Sequence, residues 1–123
     1  YNEAADMLHK KGKLIGSHLD ADNTIIMDCI TDTALDYIEA YDPGMSPPVR
    51  EARKKWPDKT LWINWPSEWH LKSKEGVYQG TINILKENET AKNLIIGITE
   101  DVPQDRWKLN FKTIMDAIDD YFK

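Results

Sequence analysis

Asn93-Leu94-Ile95-Ile96-Gly97-Ile98-Thr99 is a short apolar run, and beyond it Trp107, Phe111, Ile114, Met115, Ile118, Tyr121 and Phe122 recur at helical spacing. The first pattern predicts a strand, and the second an amphipathic helix whose apolar face packs on the sheet that holds it. Together they make one βα unit. The same alternation of short apolar run and helical period repeats upstream.

Leu61-Trp62-Ile63-Asn64-Trp65 reads as a strand closed by Pro66, with Val77, Thr81, Ile84 and Leu85 marking a helix over residues 74–88. Leu35-Asp36-Tyr37-Ile38-Glu39-Ala40-Tyr41 is a further strand. The loop over 42–48 is rich in Pro and Gly, and its prolines suit the first turn of a helix bearing Val49, Ala52 and Trp56 on one stripe. Leu14-Ile15-Gly16-Ser17-His18-Leu19 is the first strand. The capping residues Asp20-Ala21-Asp22-Asn23 then lead into a helix carrying Ile26, Met27, Ile30 and Ala34. A helix over residues 2–11, with Ala5 and Leu8 on its inner stripe, precedes that strand. It ends at Lys10-Lys11-Gly12, where basic residues meet the negative end of the helix dipole and glycine suits a left-handed cap.

One helix followed by four βα units needs right-handed crossovers, hence a mostly parallel sheet covered by helices. The expected fold is α/β, a parallel sheet of four βα units forming half of a (βα)8 TIM-type barrel, with residues 1–123 as a single partial domain. An open doubly wound sheet is the competing architecture. Its usual nucleotide signatures are missing, because neither GxGxxG nor GxxxxGK[ST] follows any strand.

Composition narrows the function. Sixteen Lys and Arg against twenty-one Asp and Glu give a net charge of −5 with no basic block, so a nucleic-acid partner has no electrostatic basis. Cys29 stands alone, which excludes an internal disulfide, a CxxC redox pair and a thiolate zinc cluster and fits a reducing, cytoplasmic setting. No apolar run approaches the roughly 20 residues that span a bilayer, so no membrane partner is expected. The chain opens without methionine inside an amphipathic segment, and reads as excised from a longer protein.

Strand side chains alternate between two faces. With Leu94, Ile96 and Ile98 facing the helices, Gly97, Thr99 and Asp101 turn the other way. The same parity opposes Ile15 and Ser17 to Gly16, His18 and Asp20, opposes Ile38 and Ala40 to Tyr37, Glu39 and Tyr41, and opposes Leu61 and Ile63 to Trp62 and Asn64. The face away from the helices therefore collects His18, Asp20, Glu39, Asn64, Thr99 and Asp101 at or beyond the C-terminal halves of four strands, the end at which βα folds bind ligands. Outside this set, His9 and His70 are expected at the surface, Cys29 as a small buried hydrophobe, and Trp62, Trp65 and Trp69 mainly as core.

Four stretches taken in order carry a family resemblance: Gly16-Ser17-His18-Leu19-Asp20-Ala21-Asp22-Asn23; Leu35 through Pro43; Glu51 through Lys59 with Leu61-Trp62; and Gly97-Ile98-Thr99-Glu100-Asp101-Val102-Pro103. They resemble the C-terminal half of the uroporphyrinogen decarboxylase superfamily. The resemblance implies a parent (βα)8 barrel whose N-terminal half-barrel is missing from this chain. It also implies one of two chemistries. Uroporphyrinogen decarboxylases use no cofactor, whereas corrinoid-linked methyltransferases of similar fold hold a zinc that activates a thiol, with a His-x-Cys pair on a strand like 13–20 and a further Cys on the last strand. Here His18-x-Asp20 keeps the histidine and puts a carboxylate in place of the thiolate, while Glu100 and Asp101 stand where the last cysteine would be.

On that resemblance a divalent metal, zinc first and harder ions next, is expected on His18, Asp20 and Asp101, with Glu39 and Asn64 orienting substrate. A corrinoid-carrying protein is then the partner of a methyltransferase or demethylase. The alternative is a metal-free decarboxylase for an acid smaller or differently charged than a tetrapyrrole with eight carboxylates, which Asp20, Glu39 and Asp101 would repel. A third possibility is a non-catalytic folding or interaction module. For the 123-residue chain itself, two unpaired sheet edges imply self-association, and half a pocket implies negligible turnover.

Overall fold

Each strand of the sheet pairs in parallel with its neighbour in sequence. In the computed structural model, which describes residues 1–90, 92–98 and 101–123, β1 (Gly16–His18), β2 (Tyr37–Tyr41), β3 (Thr60–Asn64) and β4 (Leu94–Gly97) lie in the order β1-β2-β3-β4. Helix α1 (Asn2–His9) precedes β1. A 3-10 turn at Thr24–Ile26 and α2 (Met27–Thr31) join β1 to β2, and α3 (Val49–Lys55) joins β2 to β3. A 3-10 segment at Ser67–Leu71 and α4 (Lys74–Asn88) lead to β4, and α5 (Trp107–Tyr121) follows it. A parallel sheet whose strands keep sequence order advances in one direction, so right-handed crossovers set the helices on a single face. A doubly wound sheet reverses direction and covers both faces. This sheet has the singly wound order, and among the described residues β1 and β4 are its outer strands.

Burial along the strands follows from that arrangement. Ile38, Leu61 and Ile63 are fully buried and, with Val49, Ala52, Trp56, Val77, Ile84 and Ile114, make the core between sheet and helices; Leu94, Ile96 and Ile98 pack against it. On the opposite, open face Gly16, Tyr37, Glu39, Trp62 and Gly97 are half-buried, while His18 and Ile95 are exposed. Two rings lie across this face. A Cβ at Gly16 would stand 2.1 Å from the Tyr37 ring, one at Gly97 would stand 2.4 Å from Trp62 Nε1, and the Tyr37 and Trp62 rings are 6.3 Å apart.

Tyr41 departs from strict alternation. Tyr37 pairs with Thr60 and Ile38 with Leu61, but Tyr41 pairs with Ile63, so β2 carries one extra residue, and Ala40 takes φ +60° to absorb it. The bulge turns Tyr41 into the core against Trp56 and corrects its expected place beside Glu39; its hydroxyl donates to Pro47 O at 2.5 Å.

Helix ends follow local chemistry. Ser73 Oγ accepts from Gly76 N at 3.2 Å to start α4, which spans the expected residues and stops where Glu89 turns left-handed at φ +60°. Gly12, at φ +65°, reverses the chain after α1, whose Asn2 side chain bonds Asp32 O and Ala34 N. Helix α2 ends at Thr31, so Ala34 lies in the loop before β2, not on a helix.

Three other expectations are corrected. His70 is buried, because Asn110 of α5 donates to both its Nδ1 and its carbonyl. Cys29 is exposed, since so short a helix buries only Ile30. Helix α5 buries Asn110, Thr113, Ile114 and Ala117, leaving Trp107, Met115 and Phe122 of its apolar stripe exposed. The stripe is rotated past the contact with α4. Among the described residues no helix is long and apolar enough to cross a membrane.

Candidate functional site

The polar residues of the open face converge at the C-terminal ends of β1, β2 and β3. His18 closes β1 and pairs across the sheet with Glu39 of β2, and that register places imidazole beside carboxylate: Glu39 Oε2 is hydrogen-bonded to His18 Nδ1. Asp20, two residues beyond on the same side, brings Oδ2 to 3.6 Å from His18 Nε2. The imidazole thus lies between two carboxylates. The hydrogen bond and charge of Glu39, followed by the charge of Asp20, hold its pKa above the ordinary 6.5. Glu39 fixes the ring from one nitrogen, and Nε2 is the nitrogen presented outward.

A cavity of about 370 Å³ opens beside this group, lined by Asp20, Ala21, Asp42, Met45, Asn64, Ser67 and Glu68. Asn64, at the end of β3, is buried in its wall. Asp42 is also buried, its Oδ1 accepting from Gly44 N at 2.7 Å in the turn after β2. The wall is braced from below. Asn23 donates from Nδ2 to Leu19 O, Ala21 O and Ser46 Oγ, its backbone N–H also reaches Ser46 Oγ, and the Ser46 hydroxyl donates to Ala21 O at 3.0 Å. The loops after β1 and β2 are therefore held as one unit. With Asp20 and Glu68 exposed at its rim and Asp42 buried in its wall, the cavity disfavours a polyanionic ligand.

Of the expected site residues, the structure brings His18, Glu39, Asp20 and Asn64 to one end of the sheet. Asp101 lines a neighbouring cavity with Leu71, Val102 and Pro103, which shares Ser67 and Glu68 with the first. Thr99 and Glu100 fall outside the described residues. Among the described residues no group of three or more His, Cys, Asp and Glu side chains is arranged to hold a metal ion. Glu39 takes His18 Nδ1, which leaves Nε2, 3.6 Å from Asp20 Oδ2, as the ring nitrogen open to a ligand. Glu39, expected to orient substrate, is hydrogen-bonded to the imidazole.

Asp42, Glu68, Asn23 and Ser46 belong to the site and were not singled out from sequence. Asp42 carried a usable signal, an Asp-Pro-Gly turn directly after a strand, but regular alternation through Ala40 hides the side to which that turn delivers it. No protein-family model matches the chain. No curated protein matches it either. Its parallel α/β architecture is of a kind common to many enzymes, and function has to be argued from the site.

Proposed function

We propose that the chain carries the acid–base part of a metal-independent decarboxylase site, on the decarboxylase side of the uroporphyrinogen decarboxylase superfamily that its sequence resembles. The observation that carries this reading is the Glu39–His18–Asp20 arrangement, in which an exposed imidazole lies between two carboxylates that favour its protonated form. Cofactor-free loss of carbon dioxide breaks a carbon–carbon bond and leaves its electron pair on the substrate carbon, which needs a proton. Protonated His18 donates from Nε2, and the neutral ring then recovers a proton from water. Glu39 is a positioning residue that holds the ring and its charge. Asn64 contributes to substrate contact from the cavity wall. The carboxylates at the mouth favour a substrate of low negative charge over a tetrapyrrole octacarboxylate.

The corrinoid-linked methyl-transfer reading would place a metal on His18, Asp20 and Asp101, whereas among the described residues no group of three or more His, Cys, Asp and Glu side chains is arranged to hold one. The test is carbon dioxide release from a panel of mono- and dicarboxylic acids without added corrinoid, for wild type and His18→Gln. Release by the wild type that the substitution abolishes supports the reading. Methyl transfer to an added corrinoid without carbon dioxide release overturns it.

A further inference from the structure

The 3-10 segment Ser67–Leu71 stands between the two cavities at the C-terminal end of the sheet, and its Ser67 and Glu68 line both. It is held from behind by the start of α5. Arg106, the residue before that helix, donates from Nη1 to Leu71 O at 3.0 Å and reaches Lys72 O at 3.3 Å and His70 O at 3.5 Å. Deeper in, the Asn110 amide donates to His70 O at 3.0 Å and to His70 Nδ1 at 3.2 Å. Both partners are buried, and the imidazole lies beside the rings of Trp65 and Phe111.

These contacts select one protonation state. A carbonyl can only accept, so His70 O turns the NH2 end of Asn110 toward the histidine, and Nδ1 has to be the lone-pair nitrogen of a neutral ring. The ring hydrogen is then on Nε2, which finds no acceptor among the described residues. A second proton can go only to Nδ1, where it meets the Asn110 NH2, donor against donor. Turning the amide over would relieve that contact but set its oxygen against His70 O. No carboxylate among the described residues is bonded to the ring. The charged groups around the segment are Arg106, which has the same sign as an imidazolium, Lys72, whose Nζ lies 4.3 Å over the Trp69 ring, and the exposed Glu68, Lys74 and Glu75.

We propose that His70 is a proton-operated latch: as the neutral ring it clasps the Ser67–Leu71 segment to α5, and its protonation releases the segment and with it the wall that the two cavities share. The inference does not depend on the decarboxylase reading. Its size follows from linkage. A released imidazole takes a proton at the ordinary 6.5, whereas burial lowers the pKa of the clasped one, so the released fraction grows about tenfold per pH unit as pH falls below 6.5.

Amide hydrogen exchange from about pH 7 to 5, corrected for intrinsic rates, tests it at Trp69 and Lys72, whose N–H groups bond Pro66 O and Trp69 O. Protection at both should fall about tenfold per pH unit below 6.5, while amides in the middle of α4 stay better protected throughout. His70→Phe keeps a ring and should flatten that fall; His70→Gln serves if the first variant does not fold. Asn110→Asp should reverse it, because a carboxylate accepts from the imidazolium and protonation then tightens the clasp, a reversal that a merely structural histidine would not produce. Four results overturn the proposal: constant protection in the wild type, a fall that persists without the histidine, a fall unchanged by Asn110→Asp, or a fall shared equally by α4, which would be global unfolding.

Discussion

Arg53 of α3 donates from both Nε and Nη2 to the Asn88 carboxamide oxygen at the end of α4, at 3.0 and 2.8 Å. The same guanidinium reaches the carbonyls of Trp56, Pro57 and Lys59 before β3 and of Asn93 before β4. One buried side chain therefore satisfies carbonyls at the entry of two strands and ties them to two helices. Arg53→Met keeps the stem and leaves those acceptors unpaired, and is expected to cost about 2–4 kcal/mol in urea unfolding. A loss under half a kilocalorie would show the clasp to be dispensable.

His18 and His70 give opposite pH dependences. The His18 pKa is raised by Glu39, so the stability it contributes is complete below the unfolded value of 6.5 and disappears as pH rises through the folded pKa. The His70 pKa is lowered by burial, so its neutral form is favoured in the fold and stability is lost as pH falls below 6.5. Proton NMR titration should place the two imidazoles on either side of 6.5. Glu39→Gln should bring His18 down and leave His70 where it is.

The contact between Gly97 and Trp62 can be read by a double-mutant cycle. Gly97→Ala puts a methyl group 2.4 Å from Trp62 Nε1 and is expected to destabilise by about 1–3 kcal/mol while shifting the tryptophan emission. In a Trp62→Ala background the penalty should largely vanish. An unchanged penalty would assign it to the nearby Ile63 carbonyl instead.

Ala40 sits at φ +60°, a conformation costly for any residue with a Cβ. Ala40→Gly should stabilise by up to about 1 kcal/mol and preserve the His18 titration, because the bulge that sets Glu39 and Tyr41 on opposite sides remains. Ala40→Val should cost about 1–3 kcal/mol, since a β-branched residue resists this φ. It should also lower the His18 pKa if the bulge straightens. Equal stability for the glycine and valine variants would show that the backbone there is unstrained.

Much of this architecture is legible in the amino-acid order. Helix α4 is found at its true limits because Val77, Thr81, Ile84 and Leu85 keep helical step, and the parity of β1, β3 and β4 predicts which side chains face the helices. Period-two reasoning failed at Tyr41, where one inserted residue reverses the face and leaves no mark in composition. Burial of His70 escaped because its partner, Asn110, lies forty positions on and is polar itself. The apolar stripe of α5 was seen, but stripe and contact face differ in rotation, and only packing against α4 fixes the latter. The Glu39–His18 pair was within reach as two residues on one face, though its role required the cross-strand register that sets carboxylate against ring.

The order of the strands also bears on how the chain acquires its shape during synthesis. Gly16 meets Tyr37, Tyr37 meets Thr60, and Leu61 meets Leu94, so each strand docks on one that has already left the ribosome and none waits for a distant successor. Growth can then proceed from the first unit to the last, with little time in which a naked strand is held in reserve. The Arg53 clasp is the exception. Its acceptors at Asn88 and Asn93 emerge well after Arg53 itself, so in nascent-chain experiments the earlier units should stay open to exchange until residues beyond β4 are out, and become locked at that point.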